Sequence, residues 1–247
     1  MFNSKSLALF ISLFVMTGNT LAEEPDWSDY RAVLTHVKPG IKNGVKLSLV
    51  DYPTIKADNH LDKAYQTVST FDPKQLHGRD EQLAFYINAY NILALKTVVD
   101  HWPVDSIKDV GSLLSTVWNK PAGELGGKIL SLGEVEHKIL RPMGEPRIHL
   151  AIVCASVSCP DLRDEPYTAV KLSAQLDEQS KRFLENSGKG LIIDKNRIRV
   201  SQIFDWFEKD FSAGGGVAAF IKHYRPDLPD LKIKTDIDYD WSVNSSR

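Results

Sequence analysis

Cysteine is scarce in this chain, which holds only two, Cys154 and Cys159. They are spaced Cys-x-x-x-x-Cys, and this spacing disfavours a thioredoxin-like redox motif, which needs Cys-x-x-Cys. The chain also lacks the His-x-x-x-His and Cys-x-x-Cys pairs that typically bind zinc. We therefore expect no metal site.

Neither sign of charge is in excess, because 30 Lys and Arg face 32 Asp and Glu, for a net charge of −2. A nucleic-acid-binding protein usually carries a basic field, so we expect no nucleic-acid partner. The run Gly214-Gly215-Gly216 lacks the preceding strand and the Lys-Ser/Thr ending of a phosphate-binding loop. No solenoid or coiled-coil period is present. The sequence thus predicts no cofactor.

Long apolar runs are absent except for a short block near the start, Leu7–Met16, which follows a single charge at Lys5. This block is too short to span a bilayer comfortably and is followed by small residues up to Ala22. The pattern predicts a cleaved signal peptide at 1–22 and a periplasmic or secreted domain at 23–247, without stable membrane insertion. An uncleaved membrane anchor is the alternative.

Hydrophobic patterning predicts a single mixed α+β domain with several helices, a central buried strand and a late β-hairpin. The longest helix is expected over Asp80–Asp100, since Leu83–Leu95 is apolar almost all round. The hairpin is expected within 191–200, and the glycine-rich stretch 118–127 is expected to be a loop. The chain shows no regular alternation of strands and helices, so a doubly wound sheet is not expected.

The centre of the chain is Arg147–Pro160, which contains both cysteines. Its apolar, β-branched first half predicts a buried strand over Ile148–Val153. Side chains of a strand alternate, so His149 is expected to face away from Cys154. It would reach Cys159 only if the intervening loop folds back.

Six segments together are typical of one family: Phe85–Asn91, Leu132–Arg141, Pro146–Ala151, Cys154–Pro160, Phe204–Phe211 and Tyr239–Asn244. In combination they resemble the family catalogued as domain of unknown function 547, from about Leu76 to Asn244. The resemblance implies no particular activity. It implies that nine positions matter: Asn88, Asn91, His137, Arg141, Arg147, His149, Cys154, Cys159 and Pro160.

A cysteine enzyme needs a thiolate, a histidine base and a polar group that orients the base. Cys159 is the expected nucleophile, because it follows small residues and should meet solvent, whereas Cys154 directly follows the apolar run and should be inert. The predicted catalytic residues are Cys159, His149, His137 and Asn88. The predicted substrate-binding residues are Arg147, Arg141, Asn91, Ser158 and Cys154.

Several of these residues have a structural alternative. Asn88 and Asn91 lie on one helix face and would tie down neighbouring loops, since buried amides mostly bond backbone. His137 lies between Glu134 and Arg141 at helical spacing and would form a surface ion pair. His149 would be a core histidine bonded to backbone.

Three functions are consistent with these residues. The first is a thiol-dependent acyl-transfer enzyme or amide hydrolase of the broad papain-like kind, acting on a small molecule or peptide. The second is binding of, or disulfide exchange with, a small thiol such as glutathione, whose carboxylates Arg141 and Arg147 would hold. The third is a non-catalytic recognition domain with a disulfide between Cys154 and Cys159, which an oxidising compartment favours.

Overall fold

The computed structural model describes residues 24–112 and 115–246. The predicted signal peptide lies outside these residues, and the prediction of a single domain over 23–247 stays a prediction. Within the described ranges, no helix has the length and apolar character needed to cross a membrane. The helices are α1 Ser28–Leu34, α2 Tyr52–Ala57, α3 His60–Thr70, α4 Arg79–Asp100, α5 Leu132–Glu134, α6 Leu172–Glu185, α7 Ile203–Trp206 and α8 Gly216–Tyr224. The strands are β1 Val37–Lys42, β2 Val45–Val50, β3 Pro121–Leu125, β4 Lys128–Ser131, β5 Leu191–Asp194, β6 Arg197–Ser201 and β7 Lys232–Ile237.

The strands form three small sheets, and the helices provide most of the core. β1 pairs with β2 and β3 with β4, both antiparallel. In the third sheet β5 and β6 form the predicted late hairpin, and β7 adds to β6 in parallel. This arrangement confirms the α+β class.

The long helix α4 is the buried centre of the larger core, as predicted. Its first turn is fixed by Glu81, whose carboxylate accepts the backbone N–H of Gly78 at 2.9 Å. Its middle is buried on all sides, including Leu83, Ile87 and Ile92, which are fully inaccessible to solvent. A helix apolar around its whole circumference needs neighbours on every face. The surrounding helices and hairpins supply them.

The predicted central strand over Ile148–Val153 is wrong. Residues Pro146–Leu150 form a 3₁₀ helix, which begins at a proline and is capped by the Glu145 carboxylate on the backbone N–H of Arg147 at 3.2 Å. A short apolar run fits a strand or a buried helical turn equally well. Here the proline and its cap favour the turn, because proline has its φ preset for a first helical turn.

The predicted loop over 118–127 is also wrong, because β3 and β4 form a hairpin there. Gly126 and Gly127 make its turn with φ of +54° and +78°. Glycine adopts these left-handed angles without strain, so this pair favours a tight hairpin turn.

Two hydrophobic clusters form the core of the described residues. The larger surrounds α4 and includes Ile152, Val153 and Cys159. The smaller packs α6 and α8 against the third sheet and includes Leu150 and Ile203. The chain crosses from the smaller cluster to the larger between Leu150 and Ile152, immediately before the first cysteine.

Candidate active site

A pocket of about 110 Å³ is lined by residues of both hydrophobic clusters. Its polar lining consists of Cys154, Cys159, His149 and Glu136, and the remaining lining is mostly aromatic and aliphatic. The histidine reaches this pocket because the segment before Cys154 is helical and not extended. His149 and Cys154 line the same pocket, so the expectation that His149 faces away from Cys154 does not hold.

The two cysteines are both free thiols, and the disulfide considered from the sequence is not formed. Cys154 is partly exposed, whereas Cys159 is only 3% exposed. The expectation that Cys159 meets solvent is therefore wrong. Its sulfur turns inward because the loop folds back, so that the backbone N–H of Cys154 donates to Cys159 Sγ at 2.7 Å.

The Cys154 thiol lies among hydrogen-bonding groups that favour its charged form. Its sulfur is 3.2 Å from Ser156 Oγ and 3.2 Å from the Tyr239 hydroxyl oxygen. Burial raises the pKa of this thiol, but hydrogen bonds from Cys159, Ser156 and Tyr239 outweigh burial and lower the pKa to about 7. Near neutral pH a large fraction of Cys154 is thiolate.

Cys159 has the opposite electrostatics. Burial, followed by the hydrogen bond to Cys154 and the charge of its thiolate, raises the pKa of Cys159 well above the usual range. Cys159 therefore stays protonated and donates to its neighbour. The buried Lys189 holds the backbone of Cys159 in place. Its Nζ donates to the Cys159 carbonyl oxygen at 2.7 Å and to Asp161 Oδ1 at 2.8 Å.

The cysteine loop is held by the C-terminal segment. Ala155, directly after Cys154, has a φ of +56°, a left-handed conformation that costs free energy in a residue with a Cβ. Its carbonyl accepts the backbone N–H of Asn244 at 3.0 Å. Ser158 accepts the backbone N–H of Asp240 through its hydroxyl oxygen at 2.8 Å, so this serine, predicted to bind substrate, has a structural role.

His149 is buried beside the pocket and is held by Asp210. Its Nε2 lies 2.7 Å from Asp210 Oδ2, and its ring stacks on Phe207 with centroids 3.9 Å apart. Burial lowers the pKa of His149 to about 4, although Asp210 acts in the opposite direction. The imidazole is thus neutral at physiological pH.

Glu136 is the second buried ionisable group of the pocket. It follows α5 on a π-helical turn over Val135–Leu140, which turns its side chain inward. Burial, then the charge of Cys154, raises the pKa of Glu136 to about 7. Its Oε1 is 3.8 Å from His149 Nδ1, a buried nitrogen that has no hydrogen-bond partner. Glu136 and Cys154 therefore titrate in the same pH range and in each other's field.

The other predicted site residues do not reach the pocket. Asn88 bonds the backbone of Tyr167 in both directions, with its Nδ2 on the carbonyl at 2.8 Å and its Oδ1 on the N–H at 2.9 Å. Asn91 likewise bonds Ala151 O at 3.1 Å and Val153 N–H at 2.9 Å. Both amides tie down backbone, and only Asn91 does so next to Cys154.

The two arginines are already paired. Arg141 binds Asp210 through Nε at 2.6 Å and Nη2 at 2.9 Å. Arg147 binds Glu145 and Asp177, with Nη2 to Glu145 Oε2 at 2.7 Å and Nη1 to Asp177 Oδ1 at 2.8 Å. Neither guanidinium is available for a ligand carboxylate in this conformation. His137 is exposed and does not line the pocket. Its Nδ1 lies 3.3 Å from Arg141 Nη1.

A family model described as "Protein of unknown function, DUF547" matches residues 73–184. This match supports the assignment of the chain to the DUF547 family. The matched residues include Glu136, His149 and both cysteines, whereas Asp210 and Tyr239 lie beyond them. No curated protein and no solved structure matches the chain.

The mouth of the pocket is aromatic. Trp206, which is 43% exposed, packs against Tyr239 with centroids 4.9 Å apart and stacks on Trp241 at 5.8 Å. Trp118 meets Trp241 edge-on at 5.5 Å, and Lys108 Nζ lies 4.4 Å from the centre of the Trp241 ring. These rings form an apolar wall.

Sequence reasoning missed Glu136, Asp210 and Tyr239 as site residues. All three lie within segments that carry the family resemblance, which was the available signal. Their proximity to the cysteine is not encoded locally, since Asp210 is 61 positions from its partner His149 and Tyr239 is 85 positions from Cys154. No group of three or more His, Cys, Asp or Glu in the described ranges is arranged to hold a metal ion.

Proposed function

We propose that this protein is a thiol-dependent acyl-transfer enzyme or amide hydrolase whose nucleophile is Cys154. The proposal rests on Cys154, a partly exposed residue that lines the pocket. The pKa of its thiol is lowered to about 7. A thiolate is the reactive form of cysteine, and lowered pKa values concentrate at functional sites. Cys159, the nucleophile expected from the sequence, is buried and protonated.

In the proposed reaction the Cys154 thiolate attacks the carbonyl carbon of the acyl donor and forms a carbon–sulfur bond. The bond to the leaving amine or alcohol then breaks, and the leaving group takes a proton from the Glu136 carboxyl. Water, or another acceptor, attacks the resulting thioester and gives its proton back to Glu136. A carboxyl group with a pKa of about 7 is suited to both transfers near neutral pH.

His149 acts in this scheme as a positioning residue. A carboxylate accepts hydrogen bonds only, so Asp210 retains the imidazole proton on Nε2 and leaves the lone pair on Nδ1. This nitrogen faces Glu136 at 3.8 Å and favours the protonated carboxyl. Tyr90 donates a hydrogen bond to Glu136, which acts in the opposite direction on its pKa without outweighing burial. These contacts orient the acid toward the pocket, in the same way that a third group orients the base of a triad.

The pocket favours an apolar acyl group or an apolar peptide side chain. Its wall is aromatic, and Arg141 and Arg147 are committed to internal carboxylates. Binding of a small thiol such as glutathione has less support for this reason, since neither Arg141 nor Arg147 is free to hold its carboxylates. The ligand we propose is a small molecule or a peptide. We also propose export to the periplasm or the medium, on the N-terminal sequence pattern.

p-Nitrophenyl acetate, a general acyl donor, tests this proposal. The reduced protein should release one equivalent of nitrophenol in a burst, and peptide mass spectrometry should find the acetyl group on Cys154. Cys154→Ser should abolish both results, whereas the matched Cys159→Ser should keep the burst. An undiminished burst in folded Cys154→Ser would refute the proposal, with folding checked by circular dichroism.

A further inference from the structure

We propose that Cys154 and Cys159 form a peroxide-sensitive pair, in which a hydroperoxide oxidises Cys154 and Cys159 then closes a reversible disulfide. This inference adds a modification site to the pocket. It does not depend on acyl transfer, because it uses only the two sulfur atoms and the loop between them.

The first support is the contact between the two residues. The Cys159 thiol is hydrogen-bonded to the Cys154 sulfur, and the backbone N–H of Cys154 donates to Cys159 Sγ at 2.7 Å. Since N and Cα are about 1.46 Å apart, Cys159 Sγ lies within about 4.2 Å of Cys154 Cα. Disulfide-bonded residues are close neighbours of this kind, with Cβ atoms about 3.8 Å apart. The two sulfurs therefore start as neighbours, as closure of a disulfide requires.

The second support is the compact turn between the cysteines. The backbone N–H of Cys159 donates to Ser156 O at 3.2 Å, so the loop already has the closed shape that a cross-link requires. Bridging a five-residue separation adds little conformational constraint, so the disulfide would contribute little to stability. Folding therefore stabilises this disulfide little in return, which favours its reduction by a dithiol, as a reversible modification requires.

The third support is the different exposure of the two thiols. Cys154 is partly exposed to the pocket, where a small peroxide can reach it, and its thiolate is stabilised by Ser156 and Tyr239. Cys159 is 3% exposed and protonated. Redox-sensitive cysteines have this combination of an accessible thiolate and an adjacent resolving thiol. The roles therefore follow from burial: Cys154 is oxidised first and Cys159 resolves.

The reaction balances without any further oxidant. The Cys154 thiolate attacks the distal peroxide oxygen, the O–O bond breaks, and the released alkoxide takes a proton from water. Cys154 is now a sulfenic acid, and the peroxide is reduced to an alcohol. The Cys159 sulfur attacks the sulfenic sulfur, the S–S bond forms, and hydroxide leaves with the Cys159 proton as water. The disulfide removes the nucleophile, so oxidation would switch acyl transfer off.

Hydrogen peroxide and intact-mass spectrometry test the proposal on the full-length mature protein. The reduced protein should lose two hydrogens, show a Cys154–Cys159 cross-linked peptide, and regain its mass with dithiothreitol. Cys159→Ser is the matched variant, in which dimedone should trap a sulfenic acid on Cys154. Without dimedone, that sulfenic acid should be oxidised further to sulfinic acid. Cys154→Ser should keep its mass under the same treatment.

Two outcomes would overturn the inference. One is accumulation of sulfinic acid on Cys154 in the wild-type protein without a disulfide, which would show that Cys159 does not resolve. The other is an unchanged mass for the wild-type protein at peroxide concentrations that oxidise an unfolded control of the same chain. Neither outcome bears on the acyl-transfer proposal, which the nitrophenol burst of the reduced protein tests separately.

Discussion

His149 and Asp210 are joined by a hydrogen bond of 2.7 Å between Nε2 and Oδ2, in the partly buried wall of the pocket. The contact fixes the position of the imidazole proton, because an ionised carboxylate has no proton to donate. Arg141 binds both oxygens of the same carboxylate and, ahead of His149, lowers the pKa of Asp210. An ion pair and a hydrogen bond thus connect an arginine near the surface to His149, whose Nδ1 lies 3.8 Å from Glu136 Oε1.

The tautomer of His149 is the first prediction. Nitrogen NMR of the wild-type protein at pH 7 should show a neutral ring with the proton on Nε2, since burial lowers its pKa to about 4. Asp210→Asn should lower this pKa further, because the carboxylate that favours the imidazolium is lost. The amide can also donate to Nε2 and so shift the proton to Nδ1. A wild-type ring that is charged at pH 7, or protonated on Nδ1, would contradict this assignment.

Glu136 gives a pH-dependent stability prediction. Burial, with the charge of Cys154, raises its pKa from 4.5 to about 7, so the folded protein binds more protons than the unfolded chain in this interval. The free energy of unfolding must then fall as pH rises, by about 3 kcal/mol for this group. Relative to Glu136→Gln, the wild-type protein should lose that amount between pH 4 and pH 8 in urea titrations.

Glu134→Gln is the control for this measurement. The backbone N–H of Ser131 and then Lys138 lower the pKa of Glu134, so its contribution should have the opposite sign and increase as pH rises from the acid range. The comparison with each Gln variant cancels the titration of other groups to first order. If the free energy of unfolding, relative to each Gln variant, changes with pH in the same direction for both residues, then Glu136 is not buried and protonated as assigned.

Asn91 should couple stability to reactivity. Asn91→Ala leaves Ala151 O and Val153 N–H without their partner and should lower the free energy of unfolding by about 1–3 kcal/mol. It should also slow alkylation of Cys154, whose backbone follows directly. Asn88→Ala is matched in chemistry and burial but ties down Tyr167. In thermal denaturation Asn88→Ala should lower the stability by a similar amount, but it should leave the rate of Cys154 alkylation unchanged. If Cys154 is alkylated at the same rate in both variants, Asn91 does not position it.

Trp206 should contribute to substrate binding more than to stability. Its side chain is exposed and contacts Tyr239 and Trp241 at the pocket mouth. Aromatic contacts of this kind contribute about 1 kcal/mol to binding. Because Trp206→Ala removes the contact, the KM for an aromatic ester should rise roughly fivefold. Trp206→Phe keeps a ring at this position and should retain most of the affinity. An unchanged KM with a lowered kcat would assign the ring to another step.

Local patterns were sufficient to predict the long helix and the late hairpin, because periodicity and turn residues act within a few positions. They failed at Ile148–Val153, where an apolar run suits either a strand or a turn. Pro146 and its cap favour the turn, and Asn91 then fixes the backbone that follows it. The side-chain amide takes the place of a neighbouring strand, and this contact across 60 residues is not visible in the sequence.

The site could be predicted only in part for the same reason. His149 and both cysteines are in the pocket as the sequence suggested. The exposure expected of the two cysteines was reversed, because Cys159 is the buried one. The loop folds back and buries it through contacts with the C-terminal segment, which the local sequence does not show. Glu136 escaped notice because a π-helical turn changes the helical spacing from which a shared face is inferred.

The rate of iodoacetamide alkylation as a function of pH, with the labelled cysteine identified by peptide mass spectrometry, tests the central claim most directly. The reduced wild-type protein should be labelled first at Cys154, with a rate that rises through a midpoint of about pH 7. Cys154→Ser should react far more slowly, through Cys159 alone. Labelling of Cys159 first, or a Cys154 rate that rises only near the pKa of an ordinary thiol, would contradict Cys154 as the reactive sulfur.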